Sequence, residues 1–194
     1  MKHVGILGGA FDPLHIGHIQ IAQVARDLVD ELWIQPVYAH KYGKKLTHAQ
    51  LRLRMCDFLV NELGGNVRLS EFEIDNQLTL GTHEIIKLME TKYPDYTFHV
   101  VMGQDNADTI ENWENWEELI KRSCVVVRRA GSVLPPQNRW YMDLTHIYLS
   151  VSTTETSSTE IRQLLKTQRD GDRLKQLVPK RILDFILEED LYAS

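Results

Sequence analysis

Cysteine is scarce: two residues, Cys56 and Cys124, in a chain of 194. They lie far apart, form no CxxC motif and sit in apolar surroundings. Buried free thiols in a reducing cytoplasm are therefore expected rather than a disulfide framework. Basic excess is also missing. Lys and Arg number 22 against 27 Asp and Glu, giving a net charge of −5 and a pI near 5.9. That balance argues against a dedicated nucleic-acid binder but leaves room for a local basic pocket. No apolar run reaches the ~18 residues that a membrane helix needs. The apolar stretch at residues 4–7 is too short for a signal peptide and ends in Gly8-Gly9. Internal repeats, low-complexity tracts and long linkers are absent. With 43% apolar and 25% charged residues, collagen, coiled coil and wholesale disorder are excluded. The length suits one domain over residues 1–194, with a helical closing part from about residue 157.

What is present is an alternation of short β-branched runs and amphipathic stretches. Strands are expected at residues 4–7, 32–35, 67–69, 97–102, 124–127 and 146–149. Helices are expected at 19–29, where Ile21, Ala22, Ala25, Leu28 and Val29 share a face, and at 47–62, 82–91, 113–121, 157–166 and 180–188. Thr47 and Gln50 have capping-box spacing at the start of the second of these helices. Residues 130–143 read as a surface loop of variable structure. The pattern predicts a Rossmann-like, doubly wound α/β fold, its mostly parallel sheet covered by helices on both faces. Ligands in such folds bind at the carboxyl ends of the strands, near the point where strand order reverses.

The stretch Gly8-Gly-Ala-Phe-Asp-Pro-Leu-His-Ile-Gly-His18 leaves the first strand and enters the first helix. Glycines there let backbone approach a phosphate closely. His15 and His18, three apart, present two imidazoles on one face beside the positive end of the helix. Together they form an anion site suited to a polyphosphate. The stretch matches neither Walker A nor the Gly-x-Gly-x-x-Gly dinucleotide fingerprint. A second stretch, Thr156-Ser-Ser-Thr-Glu-Ile-Arg162, opens a late helix. Ser157 and Glu160 have capping-box spacing. The remaining hydroxyls and Arg162 add phosphate-binding groups at a helix start.

These residues resemble the HxGH nucleotidyltransferase superfamily, whose members move a nucleotidyl group from a nucleoside triphosphate to a phosphate monoester. The late stretch is closely similar to that superfamily's Ile-Ser-Ser-Thr-x-Ile-Arg signature, with Thr156 in place of Ile. Three further segments narrow the resemblance to bacterial nicotinate-nucleotide adenylyltransferases: Val101-Met-Gly-Gln-Asp105 followed by Trp113 and Trp116-Glu-Glu-Leu, the loop and helix over residues 36–55, and the ending Leu191-Tyr192. The resemblance covers essentially the whole chain. It departs where Leu78 and Gly81 replace the usual Tyr and Asp of a segment that keeps Thr79 and Thr82.

The resemblance implies adenylyl transfer from ATP to nicotinate mononucleotide, giving deamido-NAD and pyrophosphate in the cytoplasm. His15, His18 and Arg162 would be catalytic. ATP would also be met by Gly8, Gly9, Phe11, Gly17, Gly103, Asp105, Ser157, Ser158 and Thr159. The acceptor would be met by Ala10, Lys41, Arg52, Thr79, Thr82, Trp113 and Arg129. Mg²⁺ is expected between ATP phosphate oxygens, without a dedicated protein cage. No nucleic-acid or membrane partner is expected, and a homo-oligomer is compatible with the sequence. The alternatives are the same chemistry with nicotinamide mononucleotide, a non-catalytic nucleotide-binding module of the same fold, and a dinucleotide-dependent oxidoreductase. The missing fingerprint argues against the last.

Overall fold

The computed structural model describes residues 1–128, 136–151, 154, 156–169 and 171–193. Among them, six strands pair into one sheet: β1 (Lys2–Gly9), β2 (Glu31–Pro36), β3 (Val67–Leu69), β4 (Tyr96–Gly103), β5 (Cys124–Arg128) and β6 (Ile147–Ser150). The order is β3-β2-β1-β4-β5-β6 and every neighbouring pair is parallel. The chain winds outward from β1 to β3 and then starts again at β4 on the other side of β1. The carboxyl ends of β1 and β4, at Gly9 and Gly103, therefore border the crevice where strand order reverses.

Alternation along the strands feeds two cores. Val101, Val125 and Val127 pack on one face of the sheet, while Val100, Met102, Cys124 and Val126 pack on the other. The first face is covered by α1 (Ile16–Ala25), α2 (Ala49–Leu63), α7 (Ser158–Thr167), α8 (Asp172–Leu177) and α9 (Lys180–Glu188). The second is covered by α3 (Phe72–Asp75), α4 (Thr82–Lys92), α5 (Gln104–Ala107) and α6 (Trp116–Leu119). Ile161 and Leu165 tie α7 to the first core with no exposed surface; burying each contributes roughly 1.5–3 kcal/mol. Both cysteines are buried and free. Burial pushes the Cys124 thiol up to about 12, as expected of an inert apolar side chain.

The expected elements are present, with instructive shifts. The first helix begins at Ile16 rather than residue 19 and ends at Ala25, where a 3₁₀ turn, Arg26–Leu28, takes over. Thr47 is not a cap: the ring of His48 accepts from the Gln50 N–H instead. The stretch 113–121 is helical only over Trp116–Leu119, because Asn115 adopts a left-handed conformation that breaks the run. The described part of 130–143 is not merely surface loop. Trp140–Met142 forms a 3₁₀ turn whose Tyr141 is fully buried, its hydroxyl donating to Asp108 at 2.6 Å.

Candidate functional site

The loop after β1 is shaped by what its side chains hold. Phe11 takes a left-handed φ of 48° and is buried, its ring edge-on to His18 with centroids 5.0 Å apart. His15 is the extended residue before α1, and His18 sits in the helix's first turn. The backbone N–H of His15 donates to His18 Nδ1 at 3.3 Å. That contact assigns the ring proton of neutral His18 to Nε2, leaving it as a donor. The two imidazoles lie 3.7 Å apart between centroids. Gly17 suits this packing: a Cβ there would come within 3.1 Å of the His15 ring and 3.4 Å of Thr156, so the ring would have to shift. The glycine between the histidines thus lets the His15 ring come close to the helix start.

The late motif folds onto the same loop. Arg162 Nη1 donates to the Asp12 carbonyl at 2.6 Å, and Nη2 donates to Thr159 Oγ1 at 3.1 Å. The Ser158 hydroxyl donates to the Pro13 carbonyl at 3.0 Å, and Ser157 caps α7 by accepting from the Glu160 N–H. Gln20 of α1 exchanges bonds with Thr154 at 3.3 and 2.6 Å. Sequence separations of 134 to 150 residues are closed here, so the N-termini of α1 and α7 meet at one edge of the crevice. Among the hydroxyls expected on ATP, that of Ser158 already donates within the protein, while the Ser157 and Thr159 oxygens accept there.

On the other side of the β1 loop lies a cavity of about 440 Å³. It brings Gly8 and Gly9, expected on ATP, together with Ala10, Lys41, Thr82 and Trp113, expected on the acceptor. Residues 39–42 line it, tied down by a Lys41–Glu114 ion pair and by the Tyr42 hydroxyl donating to the Asn112 carbonyl at 3.2 Å. The start of α4 faces in through Leu80, Gly81 and Thr82, and no side chain caps that helix. Its first-turn N–H groups have no intrahelical partner. A Cβ at Gly81 would lie 2.6 Å from Glu84 Oε2, so the Glu84 carboxylate fills the space that a side chain there would need.

Other residues named from the sequence stand elsewhere. Arg52 has no exposed surface and does not line the cavity; its three nitrogens donate to the carbonyls of Thr47 (2.8 Å), Ala10 (2.8 Å) and Tyr38 (2.9 Å). Burial pulls its pKa below the usual guanidinium value, opposed first by the nearby Asp12 carboxylate. A basic residue near a phosphate site reads as a ligand, whereas this one is fully engaged by backbone. Thr79 is exposed outside the cavity lining. Gly103 is the N-cap of α5, with Asp105 exposed in its first turn, beside the β4 end of the crevice. Arg129 lies outside the described residues.

The sequence reading missed Gln35 and Glu73, both buried in the cavity wall. Gln35 Nε2 donates to Glu73 at 3.0 Å and the Ser70 hydroxyl donates to Gln35 Oε1 at 2.9 Å. Burial pushes the Glu73 carboxyl up to about 7, opposed by Gln35, the Tyr38 N–H and Arg52. No spacing in the sequence links these three residues, and only the β2–β3 pairing makes them neighbours.

A phosphate-suited helix pair and an adjoining cavity, joined at the switch point of a parallel sheet, define a nucleotide-handling α/β protein. The family model described as cytidylyltransferase-like matches residues 6–164, and the chain belongs to that family. Along its whole length it is similar to a probable nicotinate-nucleotide adenylyltransferase of Clostridium botulinum, 32% identical with 100% of each chain covered. A protein of the same name from Myxococcus xanthus is 31% identical, over 98% of this chain and 94% of its own. The solved structure of Plasmodium falciparum nicotinic acid mononucleotide adenylyltransferase complexed with NaAD has the same fold. It matches with a TM-score of 0.83 at 20% identity, over 99% of this chain and 98% of that one.

Proposed function

We infer that this chain is a nicotinate-nucleotide adenylyltransferase, moving the adenylyl group of ATP onto nicotinate mononucleotide to give deamido-NAD and pyrophosphate in NAD biosynthesis. The observation that carries the reading is the seam between two walls. Helix N-termini and imidazoles stand on one side of the β1 loop, and a cavity sized for a small ligand stands on the other. A phosphate monoester bound in the cavity meets a triphosphate bound at α1 along that loop. The monoester has a second pKa near ~6 and is largely dianionic at neutral pH, so it needs neither a general base nor a covalent enzyme nucleophile. The work left to the protein is alignment and charge stabilisation on the departing pyrophosphate. His18 Nε2–H and His15 would donate to the phosphates, with Gly8, Gly9, Phe11 and Gly17 shaping the backbone around them. Arg162, with Ser157, Ser158 and Thr159, would set α7 against the same loop. Gly103 and Asp105 stand where a ribose would reach the end of β4.

Mg²⁺ would enter with ATP as part of the substrate. The side chains around the α1 N-terminus are imidazoles, hydroxyls and a guanidinium, and the one carboxylate there, Asp12, already accepts from Tyr192 and Thr47, so the set suits phosphate oxygens better than a hard cation. The phosphates and water would therefore supply its ligands. In the cavity, Trp113 would stack on the pyridine ring, with Ala10 and Lys41 beside the mononucleotide. The uncapped start of α4 at Thr82 suits the nicotinate carboxylate. We assign Arg52 to holding the acceptor loop, not to the substrate. A second reading, with nicotinamide mononucleotide as acceptor, draws on Glu84: its carboxylate beside Gly81 would accept from an amide and repel a carboxylate. No helix among the described residues is long and apolar enough to cross a membrane. Two buried free thiols support the cytoplasm as the compartment. We treat residues 1–194 as one working domain because α7, α8 and α9 share the core of α1 and α2.

The test is pyrophosphate release from MgATP with each mononucleotide in parallel. Release with nicotinate mononucleotide supports the reading. Preference for the nicotinamide form would transfer the acceptor assignment to Glu84, and no release with either would overturn both.

A further inference from the structure

The segment after α9 reaches back into the site. Leu191 and Tyr192 pack on the first core, and the Leu191 N–H donates to the Ile186 carbonyl at 2.9 Å. Arg169 pairs with Asp190 at 3.1 Å and donates to the Leu191 carbonyl at 3.4 Å. Asp190 and Tyr192 both adopt left-handed backbone, with φ of 50° and 60°. This docking delivers the Tyr192 hydroxyl to Asp12 Oδ1 at 2.7 Å, across 180 residues of sequence. Burial, and then the Asp12 charge, push the Tyr192 hydroxyl above its ordinary pKa, so it remains a donor at neutral pH.

Asp12 is 4% exposed and faces two ways. Its carbonyl is held by Arg162 on the triphosphate side. Its carboxylate accepts from the Thr47 N–H, at 3.4 Å to each oxygen. The Thr47 side chain also lies near the Tyr192 hydroxyl and partly offsets the rise in its pKa. Thr47 is one root of the loop that lines the cavity; Tyr38 is the other. The two roots are held alike. Each gives its carbonyl to Arg52 and faces a buried carboxylate: the Thr47 N–H donates to Asp12, and the Tyr38 N–H favours the charged form of Glu73. Glu73 is backed by Gln35, and Asp12 is backed by Tyr192.

We propose that Tyr192 is a positioning residue for adenylyl transfer: through Asp12 it fixes the Thr47 root of the acceptor loop relative to the triphosphate loop. The proposal rests on the adenylyltransferase reading. Tyr192 holds the carboxylate of Asp12 and not its carbonyl, so losing the hydroxyl loosens the acceptor side and spares the Arg162 bond. A Tyr192→Phe variant keeps the ring in the core. Its expected effect is a rise of about tenfold in the acceptor KM, with the ATP KM within about twofold. The same substitution made on Asp12→Asn should add less than about twofold, because the residue it acts through is already altered. An acceptor KM unchanged in Tyr192→Phe overturns the proposal. So does a uniform fall in kcat that tracks the folded fraction by thermal melting, or an undiminished effect in the Asp12→Asn background. Wild-type turnover of nicotinate mononucleotide is the reference. Its absence would fail the functional reading and this proposal with it, whereas wild-type turnover beside an unaltered variant would fail this proposal alone.

Discussion

The two walls of the crevice are built by different means. The wall proposed for the triphosphate is made of two contiguous motifs, each at the start of a helix, and its candidate groups are neighbours in sequence: His15, Gly17 and His18 on α1, and Ser157 to Arg162 on α7. The wall proposed for the acceptor is assembled from β2, residues 39–42, α3, the α4 start and the stretch around Trp113. Buried charge holds it together, with Arg52 at the centre. One wall is local backbone geometry with side chains added. The other is tertiary structure first, and its side chains inherit their places from it. Changes to the first should therefore strike chemistry, and changes to the second should strike stability or acceptor affinity.

The largest expected effect is on the second wall. Arg52→Ala leaves three backbone carbonyls and the Glu73 and Asp12 carboxylates without their cation, and should cost about 3–5 kcal/mol of stability in urea unfolding. If Arg52 instead contacts substrate, stability would hold and only the acceptor KM would move. Next comes His18→Ala on the first wall. It should lower kcat by about 10²–10³ while the ATP KM changes by only a few-fold, read from initial rates of pyrophosphate release. A loss carried wholly by the ATP KM would mean that His18 binds substrate and transition state alike.

Glu73 sharpens the contrast through pH. Its folded-state value of about 7 is raised above the ordinary 4.5, so between those values the native state holds more proton than the unfolded chain. Stability from this group therefore falls as pH rises through that window, by about 1–3 kcal/mol in total. Replacing Glu73 by Gln should flatten the slope in melts taken from pH 4.5 to 7.5; an unchanged slope would place the titration elsewhere. The smallest effect belongs to Ser157. Its cap bond to the Glu160 N–H predicts a loss of about 1 kcal/mol for Ser157→Ala in urea unfolding with little change in rate; a large fall in rate without that loss would place its hydroxyl on phosphate instead.

The same contrast explains what the sequence disclosed. Hydrophobic periodicity and helix-start chemistry are local, so the alternation of strands and helices, the His15–His18 pair and the α7 cap at Ser157 could all be read directly. Gly17 is visible as a glycine, but the His15 ring packed close to it is visible only in the structure. Arg52 reads from the sequence as an acceptor contact, and its partners in the structure are distant carbonyls that no spacing announces. Glu73 and Gln35 gave no signal, since they meet only through sheet pairing and burial. Trp113 was placed on a helix because its neighbours have helical propensity; the left-handed Asn115 overrides it. Thr47 looked like a cap, and its N–H goes instead to Asp12, 35 residues earlier.

The central claim is that two nucleotides must lie on the two walls together and react in one direct displacement. Exchange of labelled pyrophosphate into ATP, followed with and without nicotinate mononucleotide or its adenylylated product, tests it most directly. The account predicts no exchange when both pyridine nucleotides are absent and exchange once deamido-NAD is supplied. Exchange with ATP and pyrophosphate alone would reveal an adenylylated enzyme and contradict it.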